Sequence, residues 1–113
     1  MKKTESPMEA IKTFLEMVPG IQYAFIYSSF PKRPRNPEGQ VDVMVVGGPD
    51  LADMDQIILK AEEELKRTIS VTSFTVREFR ERVKVKEGLV SRALSRTKIM
   101  LIGDEKEMGR LLA

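Results

Sequence analysis

The stretch that decides the fold is Phe25-Ile-Tyr-Ser-Ser-Phe-Pro-Lys-Arg-Pro-Arg-Asn-Pro-Glu-Gly-Gln-Val-Asp-Val-Met-Val-Val46. An apolar run ends in two serines, and a loop with three prolines and three basic residues follows. A second apolar run then carries a single carboxylate, Asp42. Because prolines exclude regular structure from the loop, we interpret the two runs as strands joined by it. An acid on the second of two such strands is a familiar way to hold a metal ion and a phosphate together.

The second strand, predicted over 40–46, has two faces of different chemistry. Successive side chains of a strand point to opposite sides of the sheet. One face therefore carries Val41, Val43 and Val45, and the other carries Asp42, Met44 and Val46. Both faces are mostly apolar, so we expect a central strand that is covered on both sides.

The remaining sequence predicts further helices and strands around this pair. Apolar spacing and capping residues predict helices at 7–18 and 51–65 and after positions 75, 88 and 104, and strands at 21–27, 69–74 and 98–102. The order predicts an α/β fold, a four-stranded mixed sheet with helices packed on it, as a single domain over 1–113. The first two strands should be antiparallel, and the segment 40–74 should be a parallel crossover.

Composition limits the chemistry and the partners. The chain has no histidine and no cysteine, so any metal must be held by oxygen atoms, which favours magnesium or manganese. A net charge of +2 in 113 residues does not indicate direct nucleic-acid binding. No segment is apolar enough to span a membrane, and no signal peptide is evident, so we expect a cytoplasmic protein. The basic residues after Thr75 alternate with glutamates and predict an ion-paired helix surface.

Four segments together resemble a known family. They are Ala24-Phe-Ile-Tyr27, Val41-Asp-Val-Met-Val-Val-Gly47, Thr75-Val-Arg-Glu-Phe-Arg-Glu-Arg82 and Lys98-Ile-Met-Leu-Ile-Gly-Asp-Glu105. They resemble the minimal nucleotidyltransferase domains of the DNA polymerase beta-like superfamily, in the branch linked to archaeal and bacterial transcription regulators. That family carries Gly-Ser, a variable loop and then Asp-x-Asp. The resemblance implies the nucleotidyltransferase fold, a nucleoside triphosphate as ligand and magnesium as cofactor.

The departures from the family pattern fall on the catalytic positions. Ser28 stands in the glycine position and Ser29 in the serine position, where the resemblance implies phosphate contacts. Gln40 replaces the first acid, and Asp42 matches the second as the remnant of a metal site. The strand 69–74 offers only Ser70, Thr72 and Ser73 where a third acid is expected. Glu38 in the loop is a candidate substitute acid, and magnesium binding, if any, should be weak.

The loop also carries three basic residues, Lys32, Arg33 and Arg35. They could bind phosphate, because arginine forms bidentate hydrogen bonds with phosphate oxygens. The alternative is an ordinary solvated surface, which the nearly balanced total charge favours.

Three functions stay open on the sequence. The first is a catalytically degraded nucleotidyltransferase-fold protein that acts as a nucleotide-binding or regulatory module. The second is an active enzyme that moves a nucleoside monophosphate from a triphosphate to an acceptor, and the third is a structural partner in a toxin–antitoxin or regulator complex. We expect the helices to cover one side of the sheet only, so a homodimer or another protein partner is also expected.

Overall fold

The computed structural model describes residues 7–27, 40–85, 88–95 and 98–112. Most of the predicted loop lies outside these ranges. Six candidate site residues therefore also lie outside the described ranges, namely Ser28, Ser29, Lys32, Arg33, Arg35 and Glu38.

The helices and strands of the described ranges follow the predicted order. They are α1 (Pro7–Leu15), β1 (Ile21–Tyr27), β2 (Val41–Gly47), α2 (Leu51–Leu65), β3 (Ile69–Phe74), α3 (Val76–Val83), α4 (Leu89–Ser95), β4 (Lys98–Ile102) and α5 (Glu105–Leu112). Two predicted bounds were wrong. Strand β2 begins at Val41 rather than Gln40, and α1 ends at Leu15 rather than Val18. Beyond Leu15 the amide of Val18 donates to the carbonyl of Leu15, a tighter turn than an α-helix makes.

The four strands form one mixed sheet in the order β3-β2-β1-β4. Strand β1 runs antiparallel to both β2 and β4, and β2 runs parallel to β3, to which α2 connects it. Strand β2 therefore lies inside the sheet. This confirms the central strand, which the two apolar faces of β2 predict, and the α/β fold class, which the order of helices and strands predicts.

The first face of the sheet packs against α1 and α2. Val43 and Val45 are fully buried there, among aliphatic side chains of both helices that include Ile11, Leu15, Met54, Ile58 and Ala61. The apolar stripe that predicts α2 packs in the core except at its first residue, and its members are Leu51, Met54, Ile57, Ile58, Ala61 and Leu65. Leu51 is 59% exposed, because the stripe makes core contact only from Met54 onward.

The second face packs against α3, α4 and α5. Phe25, Met44 and Val46 lie there with buried side chains from all three helices, namely Phe79, Val90, Ala93 and Met108. Helices therefore cover both faces of the sheet. The expectation that helices cover only one face is wrong, and a dimer no longer follows from it. Association itself stays a prediction.

Among the described residues, side-chain caps begin three of the helices. The carboxylate of Asp50 accepts the amide of Asp53 at 3.1 Å, and that of Asp104 accepts the amide of Glu107 at 3.2 Å. Thr75 and Glu78 form the predicted reciprocal capping box.

The predicted ion-paired surface on α3 was wrong for the part that the structure describes. There, the salt bridges are Lys12 with Glu16 and Lys98 with Glu105, neither of which lies on α3. Instead, the Arg82 guanidinium lies over the Phe74 ring, 5.5 Å from its centroid.

In the same ranges, no helix is both long enough and apolar enough to cross a membrane.

Candidate functional site

Polar side chains cross the second face of the sheet at the end where β1 stops and β2 starts. Tyr27 pairs with Lys98 on one side and with Asp42 on the other, and Asp42 pairs with Ser70. Paired residues of neighbouring strands share a face, so these four lie in one line across the sheet. We call this line, Lys98–Tyr27–Asp42–Ser70, the polar row.

Asp42 is the acid of the polar row and is 9% exposed. The amide nitrogen Nε2 of Gln40 donates a hydrogen bond of 2.8 Å to its Oδ1. An ionised carboxylate only accepts hydrogen bonds, so the nitrogen of the glutamine, and not its oxygen, is the group that suits this contact. Burying a carboxylate without such partners would be costly. Asp42 on β2 and Gln40 directly before β2 are therefore brought together, as a hydrogen-bonded acid and amide.

Tyr27 lies beside Asp42 and is buried. Burial raises the pKa of its phenol, a hydrogen bond from the Thr72 side chain lowers it, and the charge of Asp42 raises it further. The net effect is a pKa above the ordinary value of 10.0. Tyr27 therefore stays neutral throughout the physiological range and can act as a donor or acceptor of hydrogen bonds.

Lys98 ends the polar row and contacts the neighbouring helices. Its ammonium donates to the carbonyl of Leu94 at 2.9 Å and pairs with Oε2 of Glu105 at 3.2 Å. Only 11% of the side chain is exposed. The ammonium of Lys98 on β4 therefore links this strand to α4 through Leu94 and to α5 through Glu105.

The strand β3 contributes hydroxyl groups to the site. Ser70 pairs with Asp42 and Thr72 with Met44, so both lie on the face of Asp42. Ser73 pairs with Val45 and lies on the opposite face. Of the three hydroxyl residues that β3 offers where the resemblance implies a third acid, two therefore lie on the face of Asp42.

The described residues do not fit the metal centre that the resemblance implies. In those ranges no group of three or more acids, histidines or cysteines could hold a metal ion. Asp42 supplies one carboxylate, and Gln40 turns its amide nitrogen toward it. A magnesium ion prefers near-octahedral oxygen ligation, to which a protein usually contributes one or two carboxylates, and a two-metal site needs more.

Sequence reasoning missed Tyr27 and Lys98 as members of the site. Neither is chemically unusual in sequence, because Tyr27 simply ends an apolar strand. The signal that finds them is strand register. Once the loop is treated as closing an antiparallel pair, the last residue of β1 stands beside the acid near the start of β2.

Comparison with known proteins identifies the fold. No family model matches the chain, and no curated protein matches it in sequence. Solved structures do match, and their chains are nucleotidyltransferase-fold components of toxin–antitoxin complexes. The four-stranded α/β fold of this chain thus matches that of nucleotidyltransferase-like solved structures.

Three of these structures illustrate the likeness. A chain of a toxin–antitoxin complex with AMP-PNP has a TM-score of 0.63 and 12% identity, over 93% of this chain and 80% of that one. A chain of the MntA–HepT complex has a TM-score of 0.60 and 11% identity, over 94% and 78%. A third comes from tri-AMPylated Shewanella oneidensis HEPN toxin in complex with MNT antitoxin, with a TM-score of 0.57 and 12% identity over 94% and 77%.

Proposed function

We propose that this chain is a nucleotidyltransferase-fold protein that binds a nucleotide, or acts as a regulatory module, and does not transfer nucleotides by itself. The observation that carries the proposal is the hydrogen bond of 2.8 Å from Gln40 to Asp42. It joins the two positions at which the resemblance implies a pair of catalytic acids. Gln40, at the first of these positions, is an amide and donates a hydrogen bond to the carboxylate of Asp42 at the second.

The chemistry of nucleotide transfer explains why this pair is insufficient. Enzymes of this kind position one or two magnesium ions on the phosphates, and carboxylates neutralise and fix those ions. The polar row has one carboxylate, a neutral phenol, a hydroxyl and an ammonium already paired with Glu105. Magnesium binding by Asp42 should therefore be weak, and no histidine is present to serve as a base.

Strand geometry supports a ligand site next to the polar row. The chain leaves β1 after Tyr27 and enters β2 at Val41, and Tyr27 pairs with Asp42. Ser28 directly follows Tyr27 in sequence. We propose that Ser28 and Ser29 contact the phosphates of the nucleotide, and that the basic residues Lys32, Arg33 and Arg35 assist them.

A second candidate function is a role in a toxin–antitoxin pair. The observation that favours it is the set of solved neighbours, which are components of such complexes. In this alternative the chain binds a toxin as a protein partner. A third candidate is an active transferase in which Glu38, or an acid from a partner, replaces the acid missing at Gln40.

The decisive experiment offers labelled nucleoside triphosphates to the purified chain, with magnesium or manganese and a panel of protein and RNA acceptors. We expect no label transfer above that of a heat-treated sample. Transfer that disappears in Asp42→Asn would contradict the proposal and establish the enzyme. If transfer also disappeared in Glu38→Gln, the loop acid would be the substitute ligand.

Binding is tested separately by calorimetry with ATP and GTP. We expect a detectable affinity for at least one of them. Absence of binding for both, with and without magnesium, would contradict nucleotide recognition and favour the role as a protein partner. Co-purification with a HEPN toxin, the kind of partner present in one of the solved neighbours, would then be the next measurement.

A further inference from the structure

We propose that the outer edge of strand β3 is a docking site for an extended segment of a partner protein, which adds to the sheet as a further strand. Along the side that faces α2, this segment presents apolar and basic side chains in turn. The proposal goes beyond the proposed function, because it needs no nucleotide and because the surface lies on the first face, whereas the polar row lies on the second.

The backbone of β3 shows which of its groups point away from the sheet. The amide of Val41 donates to the carbonyl of Thr68 at 2.8 Å, and Val41 pairs with Ile69 in parallel register. Both backbone groups of a strand residue point to the same side, and the side alternates from residue to residue. Since Thr68 faces β2, the alternate residues face outward. They are Ile69, Val71 and Ser73.

The amide of Ile69 confirms this direction. It donates to Oε2 of Glu62 at 2.7 Å, so a carboxylate of α2 takes the place of a neighbouring strand there. The outward groups that follow belong to Val71 and Ser73. Within the described ranges, β3 pairs with β2 alone, and no strand lies on its other side. A row of outward amides and carbonyls is a template on which another chain can form a strand.

The two edges of the sheet differ in how they are protected. Edge strands of natural proteins usually carry charged residues, prolines or bulges that prevent pairing with another chain. Strand β4 begins with the charge of Lys98, and its register against β1 shifts between Ala24 and Phe25. Strand β3 reads Ile-Ser-Val-Thr-Ser-Phe, without a charge or a proline, and pairs with β2 in continuous register. The edge of β3 is therefore open to strand addition.

Exposed side chains of α2 lie beside this edge. Residues three or four apart share one side of a helix. The row that contains Glu62 is Leu51, Asp55, Leu59 and Glu62, and we call it the outer stripe. Glu62 places the outer stripe at the edge of β3, because its carboxylate accepts the outward amide of Ile69. Leu51 and Leu59 are 59% and 62% exposed, so they are free to contact an added strand.

The spacing of the outer stripe matches that of a strand. Residues four apart on a helix are about 6 Å apart along its axis. Residues two apart on a strand are about 6.6 Å apart and lie on one face of the sheet. Every second side chain of an added strand can therefore meet one member of the outer stripe. Those members alternate between leucine and acid, which defines the apolar and basic alternation of the partner segment.

The charges beside the edge decide between a partner protein and a second copy of this chain. Both charged members of the outer stripe are acids, Asp55 and Glu62. Lys60 is not three or four residues from any member, and Lys66 and Arg67 lie beyond the end of the helix. Pairing β3 with β3 of a second copy would bring two acidic stripes together, and like charges repel across such an interface. Basic side chains complement them.

The test uses the full chain and a fluorescent synthetic peptide, Leu-Thr-Lys-Thr-Leu-Thr-Lys, whose binding is followed by fluorescence polarisation. One control peptide carries glutamate in place of lysine. A second keeps every side chain but is methylated on alternate backbone nitrogens, in both possible phases, which removes the amides that pair with an edge. We expect the lysine peptide to bind the wild type more tightly than all the controls.

Three variants of the chain locate the binding surface. Val71→Pro removes an outward amide that the sheet does not use, a position at which an edge strand tolerates proline, and should weaken binding by about tenfold. Asp55→Lys should weaken binding of the lysine peptide by about two- to fivefold and favour the glutamate peptide. Glu64→Lys makes the same change of charge away from the outer stripe and should bind like the wild type. Circular dichroism checks that each variant is folded.

Four results would overturn the proposal. They are no binding of the lysine peptide, equal binding of the glutamate peptide, wild-type affinity in folded Val71→Pro, and a wild-type dimer that Val71→Pro dissociates, which would make a second copy the occupant. If Val71→Pro does not fold, the difference between Asp55→Lys and Glu64→Lys decides, and equal affinities of these two overturn the proposal. Peptide binding is measured without nucleotide, so failure of the proposed nucleotide binding leaves this test unaffected.

Discussion

The two faces of strand β2 show how one segment serves packing on one side and a site on the other. On the first face, Val43 and Val45 are fully buried among aliphatic side chains of α1 and α2. On the second face, Met44 and Val46 continue the core, but Asp42 does not. Neighbouring residues of the same strand therefore have opposite requirements, because a strand presents them to different surroundings.

The second face is itself divided along the strands. Its part around Met44 and Val46 is closed by Phe79 and by residues of α4 and α5. Its other part holds the polar row, where the chain leaves β1 for the loop and returns to β2. A ligand site needs polar groups that are positioned by rigid strands and lie close to a loop. Only this part of the second face meets that requirement among the described elements.

The largest expected effect comes from placing an acid on the wrong face. Val43→Asp should destabilise the fold by about 3 to 5 kcal/mol, because the new carboxylate lies in a dry aliphatic cluster without a partner. That loss is a large fraction of the whole stability of a domain, which is about 5 to 15 kcal/mol. Urea unfolding followed by circular dichroism measures it.

Two controls sharpen this prediction. Val43→Ala loses volume without adding charge and should cost less than Val43→Asp. Asp42→Asn keeps its shape and can still accept the amide of Gln40, so its cost should be about 1 kcal/mol or less. Equal costs for Val43→Asp and Val43→Ala would show that water reaches the first face and would remove the contrast between the faces.

A smaller effect tests the cation at the end of the polar row. Lys98→Met should cost about 1.5 kcal/mol, because it removes a charged hydrogen bond to Leu94 and the ion pair with Glu105 from a largely buried position. Lys12→Met is the matched control. Its ion pair with Glu16 lies between side chains that are 51% and 55% exposed, so its loss should change stability by about 0.5 kcal/mol or less.

Thermal unfolding at low and high salt measures both lysine variants. Equal stabilities of the two would show that Lys98 does not fasten α4 and α5 to the sheet.

The sequence predicted the fold well because its signals are local and mutually consistent. Strands β1, β3 and β4 have the predicted bounds, since β-branched and aromatic runs lie between turn residues. Caps such as Asp50 and Thr75 are visible in sequence because their partners lie three residues away. The coverage of the second face was predicted wrongly, since it depends on how three short helices pack together. Short-range patterns do not determine that arrangement.

The site was predicted only in part, for a different reason. Asp42 stands out because a polar residue in an apolar run is conspicuous, whereas Gln40 is a candidate only through the resemblance, which implies the first acid at its position. Tyr27 becomes a site residue only through the pairing of β1 with β2. The direction of the Gln40 amide is likewise set by Asp42, since either end of a glutamine can face a neighbour until a carboxylate selects the nitrogen.

The smallest effect, and the one that best reports the geometry of the site, is the titration of Tyr27. The chain has two tyrosines and no tryptophan, so the ultraviolet absorbance of tyrosinate in the wild type minus that in Tyr27→Phe isolates this residue. We expect a pKa above 10.0, raised first by burial. Thr72→Val should raise the pKa further, because the hydrogen bond from Thr72 lowers it. Asp42→Asn should reduce the pKa, because the charge of Asp42 raises it.

The same shift predicts how stability depends on pH. A tyrosine whose folded pKa lies above its unfolded value holds its proton longer in the folded protein. The stability that Tyr27 contributes is therefore fully present below pH 10.0 and is lost as the pH rises through the folded pKa. Tyr27→Phe should lose less stability than the wild type in this range, with Tyr23→Phe as the control. If Thr72→Val and Asp42→Asn moved the pKa in the same direction, Tyr27 would not lie between these two side chains, and the polar row would be wrong at its centre.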